Sequence, residues 1–348
     1  MRKLFYLGLI ISALAILLYS CSNIPTVPRT IPPDPTGMTK PDIADYSSEG
    51  IYGSIDLEPA LIPVTVPEYV KVRLSIPEVE NITAGDLKVF EDNKAQGFTV
   101  YKESNVRNKI DIAIILDVTG SMSEEIEGVK NSIISFATAL EESGLDVRIG
   151  VIPFDDYVNP PSDIVINQPY LPLTTPQQAK EYVSQLYAGD GGDWYENDYD
   201  GIMFAATALE WRPYAQKVMI LITDAPSHYK SDGDGFAHFD KTDMFPTLLG
   251  HFVIHGAFVP DYEFYTPSDD NFSAPEDPRE LCQKTGGMIK YTDEQGNIDL
   301  TSLGIIDYVK SSWIITFESD SPANEHTIEI FFNNGGTKKY LKLEHVTY

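Results

Sequence analysis

A nearly unbroken apolar segment, residues 110–116, most constrains how this chain can fold. A run of this kind is typical of a strand that is covered on both faces. Apolar residues then recur at spacings of three, four, three and four, the stripe of one amphipathic helix: Ile126, Val129, Ile133, Phe136 and Leu140. A buried strand followed by a helix is the repeating unit of a parallel sheet with helices on both faces.

The same alternation continues through the middle of the chain. Further strands are predicted over 147–154, 217–223, 251–259 and 288–291, and further helices over 177–186 and 198–210. We therefore predict an α/β domain over residues 109–310, with a doubly wound, mostly parallel sheet of the Rossmann-like kind.

The segments on either side, residues 48–108 and 311–348, alternate apolar and polar residues as half-buried strands do. Strands are predicted over 69–76, 86–91, 96–101, 313–317, 327–332 and 340–345, with turns at 92–94 and 333–336. Each segment is too small to form a convincing sandwich alone. We predict one small β-sandwich built from both segments, with the α/β domain inserted between them.

The first twenty residues predict an exported chain. Arg2 and Lys3 precede an apolar run over residues 4–18, and Cys21 follows a small residue, which is the layout of a secretory signal peptide. The end of this segment resembles the bacterial lipoprotein box, in which the cysteine becomes the lipid-modified first residue. The length of the apolar run is also compatible with an uncleaved membrane anchor.

Residues 21–47 are predicted to be the lipidated Cys21 and a tether, because this segment is rich in proline, which makes a linker semi-rigid. The resemblance implies attachment to the bacterial cell envelope through the lipid. Ser22 is compatible with sorting to the outer membrane in preference to the inner one. No later segment offers the ~20 apolar residues needed to cross a bilayer.

Composition excludes two further classes of protein. The chain has 52 Asp+Glu against 25 Lys+Arg, a formal net charge of −27, whereas a nucleic-acid partner needs a basic face. Its 2 cysteines are too few for a disulfide-stapled scaffold.

Three segments rich in carboxylates and hydroxyls follow predicted strands or precede a helix. They are residues 117–125, 189–196 and 223–226. Because ligands of open α/β sheets bind beyond the carboxyl ends of the strands, we expect these segments to meet at one edge. Such an oxygen-only set suits a hard cation, namely Mg²⁺, Ca²⁺ or Mn²⁺.

The pattern Asp117-x-Thr119-x-Ser121, with Asp224 at the end of an apolar strand, resembles the metal-ion-dependent adhesion site of von Willebrand factor type A domains. The resemblance covers about residues 109–310. It implies an open metal that accepts a carboxylate from a protein partner.

A second motif resembles one branch of that family, which includes integrin β-subunit I-like domains and the hemicentin amino-terminal domain. The sequence DWYE at 193–196 is similar to the Asp-x-Pro-Glu of that branch, with Tyr195 in place of proline. The resemblance implies that the metal is contacted directly by Thr119, Ser121 and Glu196. It implies water-mediated contacts for Asp117 and Asp224.

The resemblance also implies two neighbouring sites. Glu124 and Glu125 fall where the integrin branch has an adjacent Ca²⁺ site, and Asp156 with Asp193 and Glu196 matches part of a third site. The implied cofactors are Mg²⁺ or Mn²⁺ at the first site and Ca²⁺ at the adjacent ones.

The same residues have plainer interpretations. Asp117 or Thr119 can cap a helix N-terminus, and the D-x-x-E of 193–196 resembles a capping box. Among the aromatic residues of that loop, Trp194, Tyr195 and Tyr199 can be either core or binding anchors.

Two weaker patterns are also present. Four histidines, at positions 228, 238, 251 and 255, suggest zinc, but there is no H-E-x-x-H motif, so satisfied or exposed histidines are expected. Residues 231–235 resemble part of a calcium loop but lack the later Glu of an EF-hand. An acidic insertion is the preferred interpretation.

These patterns predict a membrane-anchored protein that binds a protein ligand in a divalent-cation-dependent manner, in adhesion or surface assembly. The ligand's Asp or Glu carboxylate completes the metal coordination. The alternative is a structural module of an envelope complex, in which the metal only stabilises loops. No enzymatic activity is expected, because nothing supplies a general base beside a substrate pocket.

Overall fold

The structure is a computed structural model that describes residues 31–58, 69–156, 169–189, 191–260, 264–292, 300–301 and 304–348. The predicted signal segment and Cys21 lie outside these residues. Within them, no helix combines the length and the apolar character that a membrane crossing requires.

The strands, in chain order, are β1 (Tyr52–Ile55), β2 (Tyr69–Ser75), β3 (Leu87–Glu91), β4 (Lys94–Ala95), β5 (Phe98–Lys102), β6 (Lys109–Asp117), β7 (Asp146–Phe154), β8 (Leu171–Thr174), β9 (Ala215–Thr223), β10 (Val253–Phe258), β11 (Ile289–Tyr291), β12 (Ser312–Glu318), β13 (His326–Asn334) and β14 (Thr337–Val346). The helices are α1 (Ile126–Glu142), α2 (Pro176–Val183), α3 (Asp198–Ala208), α4 (Lys241–Leu248), α5 (Arg279–Lys284) and α6 (Ile305–Lys310).

The central sheet has six strands in the order β11-β10-β9-β6-β7-β8. Its strands pair in parallel, except for β8, which runs antiparallel to β7. After β6, the chain forms β7 on one side of β6, and it later forms β9 on the other side of β6. The carboxyl end of β6 therefore lies at a topological switch point, where ligands bind in folds of this class.

Both faces of the central sheet are covered, as the apolar run of β6 predicts. Ile112 and Ile114 point into a core that includes residues of α1, α2 and α6. Ala113 and Ile115 point the other way, into a core shared with α3, α4 and α5. The five predicted stripe residues of α1 are all buried. The predicted α/β fold with a mostly parallel sheet is confirmed.

The flanking segments form two antiparallel four-stranded sheets, β1-β2-β12-β5 and β14-β13-β3-β4. Side chains of both sheets share one core, in which Val72 and Ile315 of one sheet pack with Val89 and Ile330 of the other. Each sheet contains strands from before and from after the α/β domain, so the insertion is part of the confirmed fold class. The exact domain bounds given above stay predictions.

One predicted hairpin is wrong in part. The turn at Asp92 and Asn93 forms, with φ of 48° and 69°, which suits a two-residue hairpin turn. Its second strand, however, pairs with β3 only over Lys94 and Ala95. The chain then crosses at Gly97 to the other sheet, where β5 pairs with β12. The apolar pattern of this segment fits one hairpin strand as well as it fits two short strands in different sheets, so the pattern does not reveal the crossing.

The described part of the predicted tether contacts the sandwich. The carboxylate of Asp34 accepts a 2.9 Å hydrogen bond from the backbone N–H of Gly97 and pairs with Lys94 at 2.6 Å. Lys40 pairs with the buried Glu329 of β13. Asp34 and Lys40 of the predicted tether therefore both contact the surface of the sandwich.

Candidate functional site

The register of β6 and β9 creates the floor of the site. Leu116 pairs with Ile222, so the next residues, Asp117 and Thr223, lie side by side at the carboxyl ends of their strands. The Thr223 hydroxyl donates a 2.6 Å hydrogen bond to Oδ2 of Asp117. Both residues are fully buried. Sequence reasoning missed Thr223, although its position just before Asp224 was a usable signal.

Hydroxyl groups continue from this floor toward the surface. Oδ1 of Asp117 accepts hydrogen bonds from the Thr119 hydroxyl at 2.7 Å and from its backbone N–H at 3.0 Å. The Thr119 hydroxyl lies 3.0 Å from that of Ser121, which in turn donates to Oδ1 of Asp224 at 3.1 Å. The structure therefore brings together the four residues of the adhesion-site pattern.

The loop that carries Glu196 lies across the same edge. Gly191 is in contact with this site, since a Cβ placed on it would be 3.4 Å from Cβ of Thr119 and 3.6 Å from Oε1 of Glu196. Backbone hydrogen bonds hold the loop, from the Glu196 N–H to Pro226 at 2.9 Å and from the His228 N–H to Glu196 at 2.8 Å. Glu196 is buried, and its Oε2 has no hydrogen-bond partner.

The electrostatics of this edge are those of carboxylates with uncompensated charge. Burial, the charge of Asp117 and the neighbouring Asp156 raise the pKa of Glu196 to about 11. Burial and the charge of Asp224 likewise raise the pKa of Asp117. Burial, with the charge of Asp117, raises the pKa of Asp198 to about 8. Crowded carboxylates of this kind favour either protons or a bound cation.

The capping interpretation does not describe these residues. Thr119 precedes a short 3₁₀ turn but makes no side-chain cap hydrogen bond there. The side chain that caps α3 belongs to Asn197, whereas Asp193 accepts from the nearby N–H of Tyr195 at 2.9 Å. The hydroxyl and carboxylate oxygens are therefore turned toward one another instead of toward helix N-termini.

The aromatic residues of the loop divide between core and surface. Tyr199 is fully buried and donates a 2.7 Å hydrogen bond to the carbonyl of Pro275. Trp194 is 67% exposed, more than any other large hydrophobic side chain in the described part of the chain. Trp194 lies two residues before Glu196, in the loop that crosses this edge.

The secondary residues interact electrostatically with this centre. Burial, and then the charges of Asp224 and Glu124, raise the pKa of Glu125. Asp156 contributes to the raised pKa of Glu196. The adjacent sites that the resemblance implies stay predictions.

A buried histidine joins Asp156 and Asp193. One oxygen from each carboxylate and one ring nitrogen of His228 lie within 4.8 Å of one another. Sequence reasoning considered His228 in two ways, as a residue that follows the 223–226 segment in a pattern similar to that of hemicentin, and together with three other histidines. Two of those have separate partners, since His251 contacts Glu58 at 3.0 Å and His255 accepts from the Met288 N–H at 3.0 Å. The expected placement of both on one strand is wrong, because β10 begins after His251.

Comparison with known proteins agrees with this architecture. Residues 111–238 match the family model of the von Willebrand factor type A domain. The central sheet, with helices on both faces, is a von Willebrand factor type A-like α/β fold. Domains of this family typically mediate protein–protein interaction or adhesion, and they often bind a divalent metal.

Several individual proteins are similar to parts of the chain. The alpha-protein kinase vwkA of Dictyostelium discoideum is 31% identical over 147 residues, which are 39% of this chain and 22% of that protein. The chain therefore spans about a fifth of the length of this curated relative.

Solved structures give weaker likenesses. A von Willebrand factor type A protein from Catenulispora acidiphila is 12% identical, with a TM-score of 0.40, over 86% of this chain and 74% of that one. BatB from Bacteroides thetaiotaomicron is 15% identical, with a TM-score of 0.37, over 57% and 96%. The pilus adhesin SpaC from Lactobacillus rhamnosus GG, in its open conformation, is 12% identical, with a TM-score of 0.38, over 86% and 48%.

Proposed function

We propose that this chain binds an acidic protein ligand through a divalent cation held at the carboxyl edge of its central sheet. Thr119, Ser121 and Glu196 contact the ion, and Asp117 and Asp224 hold it through water. The ligand supplies an Asp or Glu carboxylate to the remaining coordination position. In this proposal the chain is not an enzyme, and it is displayed on the cell envelope by a lipid on Cys21.

One observation carries the proposal. The hydroxyls of Thr119 and Ser121 lie 3.0 Å apart between the carboxylates of Asp117 and Asp224, beside a buried Glu196 oxygen that has no hydrogen-bond partner. These donors are all oxygens, which suits Mg²⁺ or Mn²⁺ better than a softer metal. With two neutral hydroxyls in the set, the ion keeps enough positive charge to attract an external carboxylate.

The exposed indole of Trp194 supports a protein ligand in preference to a small molecule. Tryptophan is among the residues that are enriched in binding hot spots. In the described part of the chain, Trp194 is the most exposed large hydrophobic side chain, and it lies two residues before Glu196.

The test has two stages. Mg²⁺, Mn²⁺ and Ca²⁺ are first titrated calorimetrically into the full-length chain and into Asp117→Ala. Immobilised protein is then challenged with short peptides that each contain one Asp, with the matched Asn peptides as controls. The proposal expects saturable Mg²⁺ binding that Asp117→Ala lacks, and peptide binding that requires both the cation and the Asp side chain.

Two results would contradict the proposal. Equal Mg²⁺ binding by Asp117→Ala would place the ion elsewhere. Retention of an acidic peptide after chelation, combined with a lowered melting temperature, would favour the alternative, a structural module in which the ion only stabilises the loops around Thr119.

A further inference from the structure

His228 has the surroundings of a metal-ligating histidine. Its side chain is fully buried, and Nδ1 lies 2.7 Å from Oδ2 of Asp232. Asp232 is itself oriented by backbone donors, because it accepts from the N–H groups of Tyr229 at 3.0 Å and Asp234 at 2.9 Å. A carboxylate on one ring nitrogen fixes the ring orientation and makes the other nitrogen a better metal ligand.

The second ring nitrogen faces acceptors and lacks a hydrogen bond. Among the residues that the structure describes, Nε2 of His228 has no hydrogen-bond partner, although it lies 3.2 Å from Oδ1 of Asp193. With the Nδ1 proton shared with Asp232, a neutral ring presents a lone pair at Nε2. A lone pair that faces a carboxylate oxygen is repelled unless a positive charge lies between them.

A second buried atom points to the same place. Asp156 is 2% exposed, and its Oδ1 has no hydrogen-bond partner in the described part of the chain. This carboxylate, Asp193 and His228 offer three ligand atoms within 4.8 Å of one another. Two ligands of a tetrahedral zinc ion, each at ~2.0–2.1 Å, lie roughly 3.3 Å apart. The distance of 3.2 Å between Nε2 and Oδ1 of Asp193 matches this value.

We propose that Asp156, Asp193 and His228 form a second cation site, which binds a transition-metal ion of the zinc class. An imidazole nitrogen with two carboxylates is a borderline-soft donor set, which suits Zn²⁺, Co²⁺ or Mn²⁺ better than Ca²⁺. The site therefore differs in ligands and in metal from the Ca²⁺ site that Asp156, Asp193 and Glu196 were expected to form.

The ion would join two loops that shape the ligand-binding edge. Asp193 lies in the loop that carries Trp194 and Glu196, and His228 lies in the loop that follows Asp224. Without an ion, these loops are connected by the backbone hydrogen bonds at Glu196, and the ring of Tyr195 lies 5.7 Å from that of His228. A bound metal would fix the tip as well, so this site would set the position of the exposed indole.

The test uses Co²⁺, which reports nitrogen ligation by its visible absorption. The full-length chain is stripped with a chelator and titrated with Co²⁺ in excess Mg²⁺, which occupies the site at Thr119. We expect one Co²⁺ per chain, displaced by Zn²⁺. Affinity should fall at least 100-fold in His228→Gln and in Asp193→Asn, and about 10–100-fold in Asp232→Asn, which only orients the ring.

The controls separate this site from its neighbours. His238→Gln removes an exposed histidine that also pairs with a carboxylate, Asp200, at 2.6 Å, and it should bind Co²⁺ normally. Thr119→Val should also retain Co²⁺, so a failure of the proposed function leaves this result intact. Asp193 is partly exposed, so its Asn variant tests the site even if His228→Gln does not fold.

Two outcomes overturn the proposal. If wild-type protein takes up no Co²⁺ in excess Mg²⁺, or if His228→Gln and Asp193→Asn bind it normally, His228 is instead an imidazolium paired with its two Asp neighbours. If Asp234→Asn loses the ion while Asp193→Asn keeps it, the metal belongs to the alternative group of His228, Asp232 and Asp234.

Discussion

The hydroxyl of Ser121 donates a 3.1 Å hydrogen bond to Oδ1 of Asp224, a residue 103 positions later in the chain. This contact exists because β6 and β9 are neighbours in register, so the residues that follow both strands emerge together. The site is therefore built by backbone pairing, and hydrogen bonds hold its side chains in place before any ion binds. Such preorganisation lowers the cost of ordering the ligands when the ion arrives.

The Thr119 hydroxyl is the first element of the site to test. Thr119→Val keeps the shape of this fully buried residue and removes the donor to Oδ1 of Asp117. We expect Mg²⁺ affinity to fall at least tenfold by calorimetry. Stability should fall by about 1–3 kcal/mol in urea unfolding, because a buried acceptor loses a partner.

Ser123→Ala is the matched control for this prediction. Ser123 is exposed, two positions beyond Ser121, and its hydroxyl bonds to the carbonyl of Gly120. Its removal should leave Mg²⁺ affinity unchanged. Equal losses in Ser123→Ala and Thr119→Val would mean that the 3₁₀ turn, and not the Thr119 hydroxyl, holds the ion.

Substitution of Trp194 distinguishes an effect on ligand binding from an effect on folding. Trp194→Ala removes a side chain that is 67% exposed, so the free energy of unfolding should change by no more than about 0.5 kcal/mol. Affinity for the acidic peptide selected in Mg²⁺ should fall by about 2 kcal/mol or more, as for a hot-spot aromatic residue. Tyr214→Ala, at the opposite end of the sheet before β9, should leave the affinity intact. Unchanged peptide affinity in Trp194→Ala would exclude the indole as an anchor.

The sequence predicts the fold better than it predicts the details of the site. The apolar run of β6 and the stripe of α1 determine the layers, because burial on both faces leaves few alternatives. Asp117, Thr119 and Ser121 are local in sequence, so a short motif reveals them. His228 is different, because its partnership with Asp156 depends on how two loops cross, and no periodicity encodes that crossing. The short helices α4 and α5 carry too few turns to give a clear stripe.

A buried ion network stands where the sandwich meets the α/β domain. Asp56 is 1% exposed and pairs with Arg107 at 2.9 Å and with Arg73 at 3.5 Å. Burial alone would raise the pKa of Asp56, but the charges of Arg107 and Arg73 hold it at about 2. Asp56→Asn leaves the buried guanidinium groups of Arg73 and Arg107 to share the carboxylate of Glu103, so one of two buried counter-charges is lost. The substitution should cost about 3–5 kcal/mol in denaturant unfolding.

The matched control is an exposed pair. Asp320→Asn removes one of the two carboxylates that pair with Lys94 at the surface of the sandwich, where ion pairs contribute about 0–1 kcal/mol. If Asp56→Asn is no more destabilising than Asp320→Asn, the buried network does not contribute to the stability of the junction.

His255 makes stability depend on pH. Burial lowers the pKa of His255 to about 3, and the ring packs edge-on against Tyr308. An unfolded chain takes up a proton near pH 6.5, whereas the native ring stays neutral, so stability is complete above pH 6.5 and declines as the pH falls toward 3. The slope from this group approaches about 1.4 kcal/mol per pH unit. His255→Gln should flatten the measured curve in this range, whereas His345→Gln, at an exposed ring, should not.

Gly192 provides a test of the second cation site that substitutes none of the proposed ligand residues. A Cβ on Gly192 would lie 2.5 Å from Oδ2 of Asp156, so Gly192→Ala must displace that carboxylate. At Gly189 the nearest atom to such a Cβ is 4.0 Å away, which makes Gly189→Ala a control with the same change in backbone entropy. Co²⁺ affinity in excess Mg²⁺ should fall at least tenfold in Gly192→Ala and stay unchanged in Gly189→Ala. Equal affinity in both variants would mean that Asp156 does not ligate the ion, because its displacement would then have no effect.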